Sequence, residues 1–178
     1  MNICLFGASS ENINKLYFEE VEKLGKMMAD RGHSMVFGGG ATGLMGAAVR
    51  GLTAAGGKSI GIAPRFFDQP GILFQDCTEF IYTDTMRQRK QKMEDLSDAF
   101  IIVPGGIGTF EEFFEILTLK QLGQHNKPIA IFNVNNYYDN LVSSIQKATE
   151  EGFFSEKHLD IFKVTDNATE LLDYIEIR

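Results

Sequence analysis

The sequence predicts one doubly wound α/β domain, and three observations predict it. Short apolar runs alternate with segments of helical spacing along the whole chain. Most of the apolar runs are unbroken Ile, Val and Phe, the pattern of strands covered on both faces. Repeated strand–helix–strand order requires a mainly parallel sheet with right-handed crossovers. With 178 residues and 44% apolar composition, the chain can build one core without metal or disulfide staples.

Ile3–Phe6 is the first strand and Lys15–Arg31 the first helix. Met35–Phe37 follows as a strand, Leu44–Ala55 as a helix and Ser59–Ile62 as the third strand. Phe80–Tyr82 is the next strand and Met86–Ser97 the next helix. Phe100–Val103 leads to the helix Thr109–Leu122, Ile129–Asn133 to Tyr137–Glu151, and Phe162–Thr165 to Ala168–Ile175. These segments make a Rossmann-like sheet of about seven strands flanked by helices. No repeat, low-complexity tract or linker divides residues 1–178, which read as a single domain.

Bulk properties remove several function classes. A net charge of -7 leaves no basic face for nucleic acid. No apolar run reaches the about 18 residues of a membrane span, and the opening run is too short for a signal peptide. Cys4 and Cys77 stand far apart without a C-x-x-C pattern, as reduced thiols of a cytoplasmic protein do. His33, His125 and His158 share no ligand spacing, so no metal is expected.

In doubly wound folds ligands sit beyond the carboxyl ends of the strands. Three small or Gly-rich loops leave those ends: Gly7-Ala8-Ser9-Ser10, Gly38 to Gly43, and Gly105-Gly106-Ile107-Gly108-Thr109. Tight turns alone account for one such loop; three at one sheet edge point to a ligand that approaches the backbone. Gly38, Gly40 and Gly43 match the dinucleotide string, but they follow the second strand, and the next strand ends in Ala63-Pro64 without a ribose-binding acid. No Gly-Lys-Ser/Thr closes either Gly-rich turn. What remains is a site where glycine amides and helix N-termini face one small phosphate.

In the helix from Met86, Arg89 falls within the apolar stripe of Met86, Met93 and Leu96, with Lys90 at its edge. An inward guanidinium needs an anion: either a buried carboxylate or the phosphate or ribose of a ligand. The start of this helix near the ligand edge favours the ligand. In the next helix Phe110, Phe113, Phe114 and Leu117 form the expected core face, and Glu112, Ile116 and Leu119 a second stripe for a symmetric dimer contact. Glu111 and Glu112 occupy its expected first turn, where acids often only complement the helix dipole. Glu112 shares its stripe with apolar residues beside the Gly-rich turn, which makes it the stronger candidate for chemistry.

Three stretches carry a family resemblance: Gly38 to Gly46 (GGGATGLMG), Met86 to Lys90 (MRQRK), and Pro104 to Glu112 (PGGIGTFEE). Together they resemble the Lonely Guy family of cytokinin riboside 5′-monophosphate phosphoribohydrolases, also described as nucleotide nucleosidases. The likeness runs from the first strand to the C-terminal helix. It implies Arg89 and Glu112 as the catalytic pair. It also implies a nucleotide site lined by Ser9, Gly40, Gly43, Met86, Lys90, Gly105, Gly106, Gly108, Thr109 and Glu111. A homodimer with active sites at the interface is implied too, and no cofactor. Three positions depart from the family pattern: Ala8 in the first loop, Arg87 where relatives often have His, and Phe66 where many carry an acid. The departures bear on base choice and leave the catalytic pair in place. The family has also carried the label lysine decarboxylase, but no lysine here is placed as a Schiff-base anchor.

The expected reaction is hydrolysis of a nucleoside 5′-monophosphate, such as AMP or a cytokinin riboside monophosphate, to free base and ribose 5-phosphate. The competing readings are a non-catalytic nucleotide sensor or carrier, an NAD-dependent oxidoreductase disfavoured by the missing acid, and a purely structural dimer module.

Overall fold

The computed structural model describes residues 1–155 and 160–177; His158 lies outside the described residues. Neighbouring residues of a strand face opposite sides of its sheet, and β1 (Asn2–Phe6) sends Ile3 and Leu5 into one apolar layer and Cys4 and Phe6 into the other. The same division runs through β2 (Ser34–Phe37), β5 (Ala99–Ile102) and β6 (Ile129–Phe132), while β3 (Ser59–Pro64) sends Ile60 and Ile62 into the second layer. With β4 (Glu79–Thr83) and β7 (Lys163–Thr165) they form one parallel sheet in the order β4-β3-β2-β1-β5-β6-β7.

One face is covered by α1 (Lys15–Asp30), α2 (Gly43–Ala54) and α6 (Ala168–Glu176), through residues such as Leu24, Leu44, Leu52 and Leu172. The other is covered by α3 (Met86–Leu96), α4 (Ile107–Gln121) and α5 (Asp139–Glu150), through Met93, Phe113, Leu117 and Ile145. This is the doubly wound architecture the sequence predicts. After β4 the chain returns across the sheet to place β5 beside β1, so the switch in winding direction falls between those two strands. The three Gly-rich loops leave β1, β2 and β5 around that point.

Every expected element is present, with its ends displaced by one or two residues. The expectation that the strands are covered on both faces fails for β4, an edge strand whose Glu79 and Tyr82 are exposed and whose remaining residues are half-buried. Its aromatic residues instead pack along the edge, Phe80 with Tyr82 at 4.9 Å between ring centroids. On the first face, α1 and α2 lie backbone to backbone. A Cβ on Gly25 would meet the Ala48 carbonyl oxygen at 2.0 Å, and one on Gly51 the Glu22 carbonyl oxygen at 2.0 Å.

Candidate active site

The Gly-rich loops enclose a cleft of about 590 Å³ at the carboxyl edge of the sheet. Its polar side is made by Ser9, Ser10, Gly40, Thr42 and the first turn of α4, from Gly106 to Thr109. Gly106 is the N-cap of α4, and no acidic side chain occupies the first turn. The amides of that turn lack intrahelical partners. A helix starting at Thr109, as the sequence pattern predicts, would put Glu111 and Glu112 in that turn. The helix begins at Ile107, so both acids sit one turn further in, and the positive end of the helix dipole is left for an anionic ligand.

The loops brace one another. The Leu44 amide donates to the Ala8 carbonyl (2.8 Å) and the Thr42 hydroxyl to the Ser9 carbonyl (3.0 Å). Gly43 adopts φ +64 at this junction, where a Cβ would come within 2.2 Å of the Ala8 carbonyl oxygen. Gly43 therefore fixes the loop without being a wall of the cleft. Gly105 does the same in the third loop, packed so tightly on Thr109 that a Cβ would lie 2.1 Å from its hydroxyl.

The opposite wall is apolar: Met45, Phe67, Ile72, Leu73 and Met86. Met86 is 39% exposed, so it belongs to the cleft wall and leaves the core stripe to Met93. Phe67, Ile72 and Leu73 come from the segment between β3 and β4, of which the sequence singles out only the neighbouring Phe66. That segment is tied to the second Gly-rich loop by an antiparallel bridge between Gly40 and Leu73. The Ala41 amide donates to Ile72 O (2.9 Å) and the Phe74 amide to Gly39 O (2.8 Å). Its signals in the sequence are Phe66 and the apolar trio Ile72-Leu73-Phe74, outside any periodic segment.

Between the two walls lie Arg89 and Glu112. A capping box of Thr85 and Gln88 starts α3 at the cleft and carries Arg89 inward on the helix's first turn. Arg89 is 7% exposed; its Nη1 donates to Glu112 Oε1 at 3.1 Å and its Nε to the Ile62 carbonyl at 3.3 Å. The two readings of this guanidinium therefore hold together: it is paired with a buried carboxylate, and both partners line the cleft. Gly38 makes room for the pair, since a Cβ there would stand 2.0 Å from Arg89 Nη2. Burial pushes the Glu112 carboxyl above the ordinary carboxylate range, and the neighbouring Arg89 only partly opposes this.

Lys90 is placed differently from the sequence expectation. Its ammonium bonds to Glu111 and to Glu115 (2.9 Å), tying α3 to α4, and Lys90 is not part of the cleft wall. Burial lowers its affinity for a proton, but the two carboxylates outweigh that and hold it charged. Glu111 does reach the cleft.

The division of α4 into two faces is also corrected. Glu112 and Ile116 are buried within the chain together with Phe113 and Leu117, Leu119 is half-buried, and Phe114 is 42% exposed. The core face is turned by roughly a fifth of a revolution from the all-apolar stripe. Glu112 can enter it because Arg89 meets its charge there.

Comparison with known proteins shows which family the chain belongs to. Residues 45–175 match the family model described as "Possible lysine decarboxylase". The chain is 38% identical over 174 residues to cytokinin riboside 5′-monophosphate phosphoribohydrolase LOG2 of Arabidopsis thaliana, covering 98% of this chain and 82% of that protein. It is 39% identical to the probable cytokinin riboside 5′-monophosphate phosphoribohydrolase LOGL3 of Oryza sativa subsp. japonica, covering 97% and 82%. Among solved structures, the molybdenum cofactor binding protein of Rippkaea orientalis superposes with a TM-score of 0.75 at 20% identity, covering 98% of this chain and 94% of that one. The molybdenum cofactor carrier protein of Chlamydomonas reinhardtii gives a TM-score of 0.73 at 20% identity, covering 98% and 95%. At that identity the structural likeness speaks for the fold alone. The near full-length sequence matches carry the assignment: the chain belongs to the Lonely Guy family.

Proposed function

We propose that this protein hydrolyses the N-glycosidic bond of a nucleoside 5′-monophosphate, giving free base and ribose 5-phosphate. The observation that carries the proposal is the buried Arg89–Glu112 pair, 3.1 Å apart, between a phosphate-binding turn and an apolar wall. The names of the 38% and 39% identical relatives describe the same reaction.

The reaction has a chemical logic in this cleft. The unpartnered amides of Gly106 to Thr109 receive the 5′-phosphate, and Met45, Ile72 and Met86 flank the base. Cleavage builds positive charge on the ribose, as in glycoside hydrolysis. The Glu112 carboxylate stabilises that charge and takes a proton from the attacking water. The water oxygen bonds to the ribose carbon as the base leaves with the electron pair of the broken bond; the proton then passes from Glu112 through solvent to the base. Arg89 favours the ionised form of Glu112 against the effect of burial and holds its rotamer. A non-catalytic carrier would have little use for a carboxylate beside its anion, and no relative of comparable identity named here is a carrier.

Incubation of the purified protein with AMP, GMP, CMP and isopentenyladenosine monophosphate, with chromatographic separation of the bases, tests the proposal. Equimolar free base and ribose 5-phosphate from at least one nucleotide is the expected result. Saturable binding with no base released over hours would establish the carrier instead.

The proposal includes a homodimer whose active sites lie at the interface, and a cytoplasmic location. Exposed Ile107 at the cleft mouth and exposed Phe114 and Phe153 beside it support the dimer. Two free cysteines support a reducing compartment. Among the described residues, no helix is long and apolar enough to cross a membrane.

A further inference from the structure

Two adjacent tyrosines at the start of α5 grip the Gly-rich turn of the active site from behind. The turn after β6 bends sharply, with Asn135 and Asn136 at φ 52 and 58, and delivers Tyr137 and Tyr138 to the carboxyl end of β5. Asn133 holds the bend by accepting from the Tyr138 amide (2.7 Å) and donating to Asp139 (2.8 Å). The Tyr138 hydroxyl donates to the Val103 carbonyl at 2.9 Å. The Tyr137 hydroxyl donates to the Gly105 carbonyl at 2.6 Å. Two carbonyls of the turn are thus held by two consecutive phenols.

The consequence follows from peptide geometry. The bond between Gly105 and Gly106 is trans, so its C=O and N–H point in opposite directions. With the Gly105 carbonyl drawn towards Tyr137, the Gly106 N–H is driven the other way, and Gly106 lines the cleft. Glycine on both sides of this peptide leaves it free to rotate, so an external grip is needed to fix its sense. Val103 and Gly105 are themselves buried, while Gly106 is exposed to the cleft.

We infer that Tyr137 is a positioning residue for the phosphate subsite: it orients the Gly105–Gly106 peptide so that the Gly106 amide donates to the ligand's 5′-phosphate. Tyr137 itself does not line the cleft. Its ring stands edge-on to Tyr17 (6.1 Å) and Tyr138 (4.8 Å), which keeps the hydroxyl in place. The inference rests on the reading of the cleft as a nucleotide 5′-phosphate site.

Tyr137→Phe keeps the ring and removes only the grip. Calorimetric titration with ribose 5-phosphate should show a roughly three- to tenfold weaker dissociation constant, the range for one neutral hydrogen bond. Affinity for the free base, which lacks a phosphate, should be unchanged. With the preferred nucleotide, KM should rise by a similar factor while kcat changes less than twofold. In amide NMR spectra the Gly106 resonance, shifted by ribose 5-phosphate in the wild type, should move less in the variant. Unchanged ribose 5-phosphate affinity and an unchanged Gly106 response would overturn the role of Tyr137 while leaving the proposed reaction intact. Equal weakening for phosphate and base would overturn it too, by showing general loosening of the cleft. Should Tyr137→Phe fold poorly, the wild-type Gly106 amide decides alone: no shift on adding ribose 5-phosphate refutes the inference. A wild type that binds ribose 5-phosphate without releasing base from any nucleotide would remove the reaction and keep the phosphate subsite.

Discussion

Glu112 and Arg89 confront each other where water barely reaches, and their protonation links folding to catalysis. Burial raises the Glu112 pKa, so the folded chain binds this proton more tightly than the unfolded chain does. The stability this group contributes is present in acid and is lost as pH rises from the ordinary carboxylate value, about 4.3, through the raised one. Catalysis runs the other way, because the ionised form does the chemistry. The acid limb of kcat/KM should therefore lie above the ordinary carboxylate range, and a limb near the free-glutamate value would contradict the burial argument. Glu112→Gln should cut turnover by roughly 10²–10⁴-fold and abolish that limb, with nucleotide binding largely retained. Wild-type turnover in this variant would remove Glu112 from the mechanism. Arg89→Ala leaves a buried carboxylate without its partner, a change that costs about 3 kcal/mol when the acid is ionised. Urea unfolding should show that loss near neutral pH and a smaller one in acid, where Glu112 can take a proton. A loss independent of pH would mean that the pair does not bear the charge burial assigned to it.

At the scale of elements, the contact between α1 and α2 decides between two effects of opposite sign. Gly25→Ala improves helix propensity by about 1 kcal/mol. The added Cβ would stand 2.0 Å from the Ala48 carbonyl oxygen, a backbone atom that moves only if the helices part. Overpacking of this kind costs about 1–3 kcal/mol, so the variant should unfold at lower denaturant concentration; a higher midpoint would show that the helices separate easily. Patterning made both helices legible from Lys15–Arg31 and Leu44–Ala55, and unbroken Ile/Val/Phe runs made the inner strands legible too. What stayed hidden depended on partners distant in sequence. The core face of α4 was misplaced because a carboxylate reads as outward until Arg89, 23 positions earlier, is known to meet it. Lys90 read as a ligand contact because its two partners, Glu111 and Glu115, lie on the next helix. Phe67, Ile72 and Leu73 stayed hidden, though the adjacent Phe66 did not, because the order of their segment comes from hydrogen bonds to another loop rather than from any period of its own.

For the molecule as a whole, the apolar surface that the corrected α4 leaves outside bears on assembly. Phe114 is 42% exposed and Phe153 is 87% exposed, and both line a groove of about 360 Å³ between α4 and α5. Ile107, 83% exposed and about two turns before Phe114 on the same helix, lines the active-site cleft. An apolar groove of this kind, with two exposed phenylalanines, is a place for association. A symmetric pairing would bury the same patch on both copies and bring the two clefts near the shared surface. The proposed homodimer therefore predicts a sedimentation mass twice that of the chain. It also predicts that Phe114→Lys, which places like charges opposite each other across a two-fold axis, shifts the population to monomer. Phe114 is absent from the cleft wall, so turnover should fall in this variant only as far as the dimer itself dissociates. Activity measured across a protein dilution series should then track the dimer fraction in both forms. A Phe114→Lys protein that sediments as the wild type does, or a monomer with full turnover, would separate the active site from the interface and leave catalysis to the single chain.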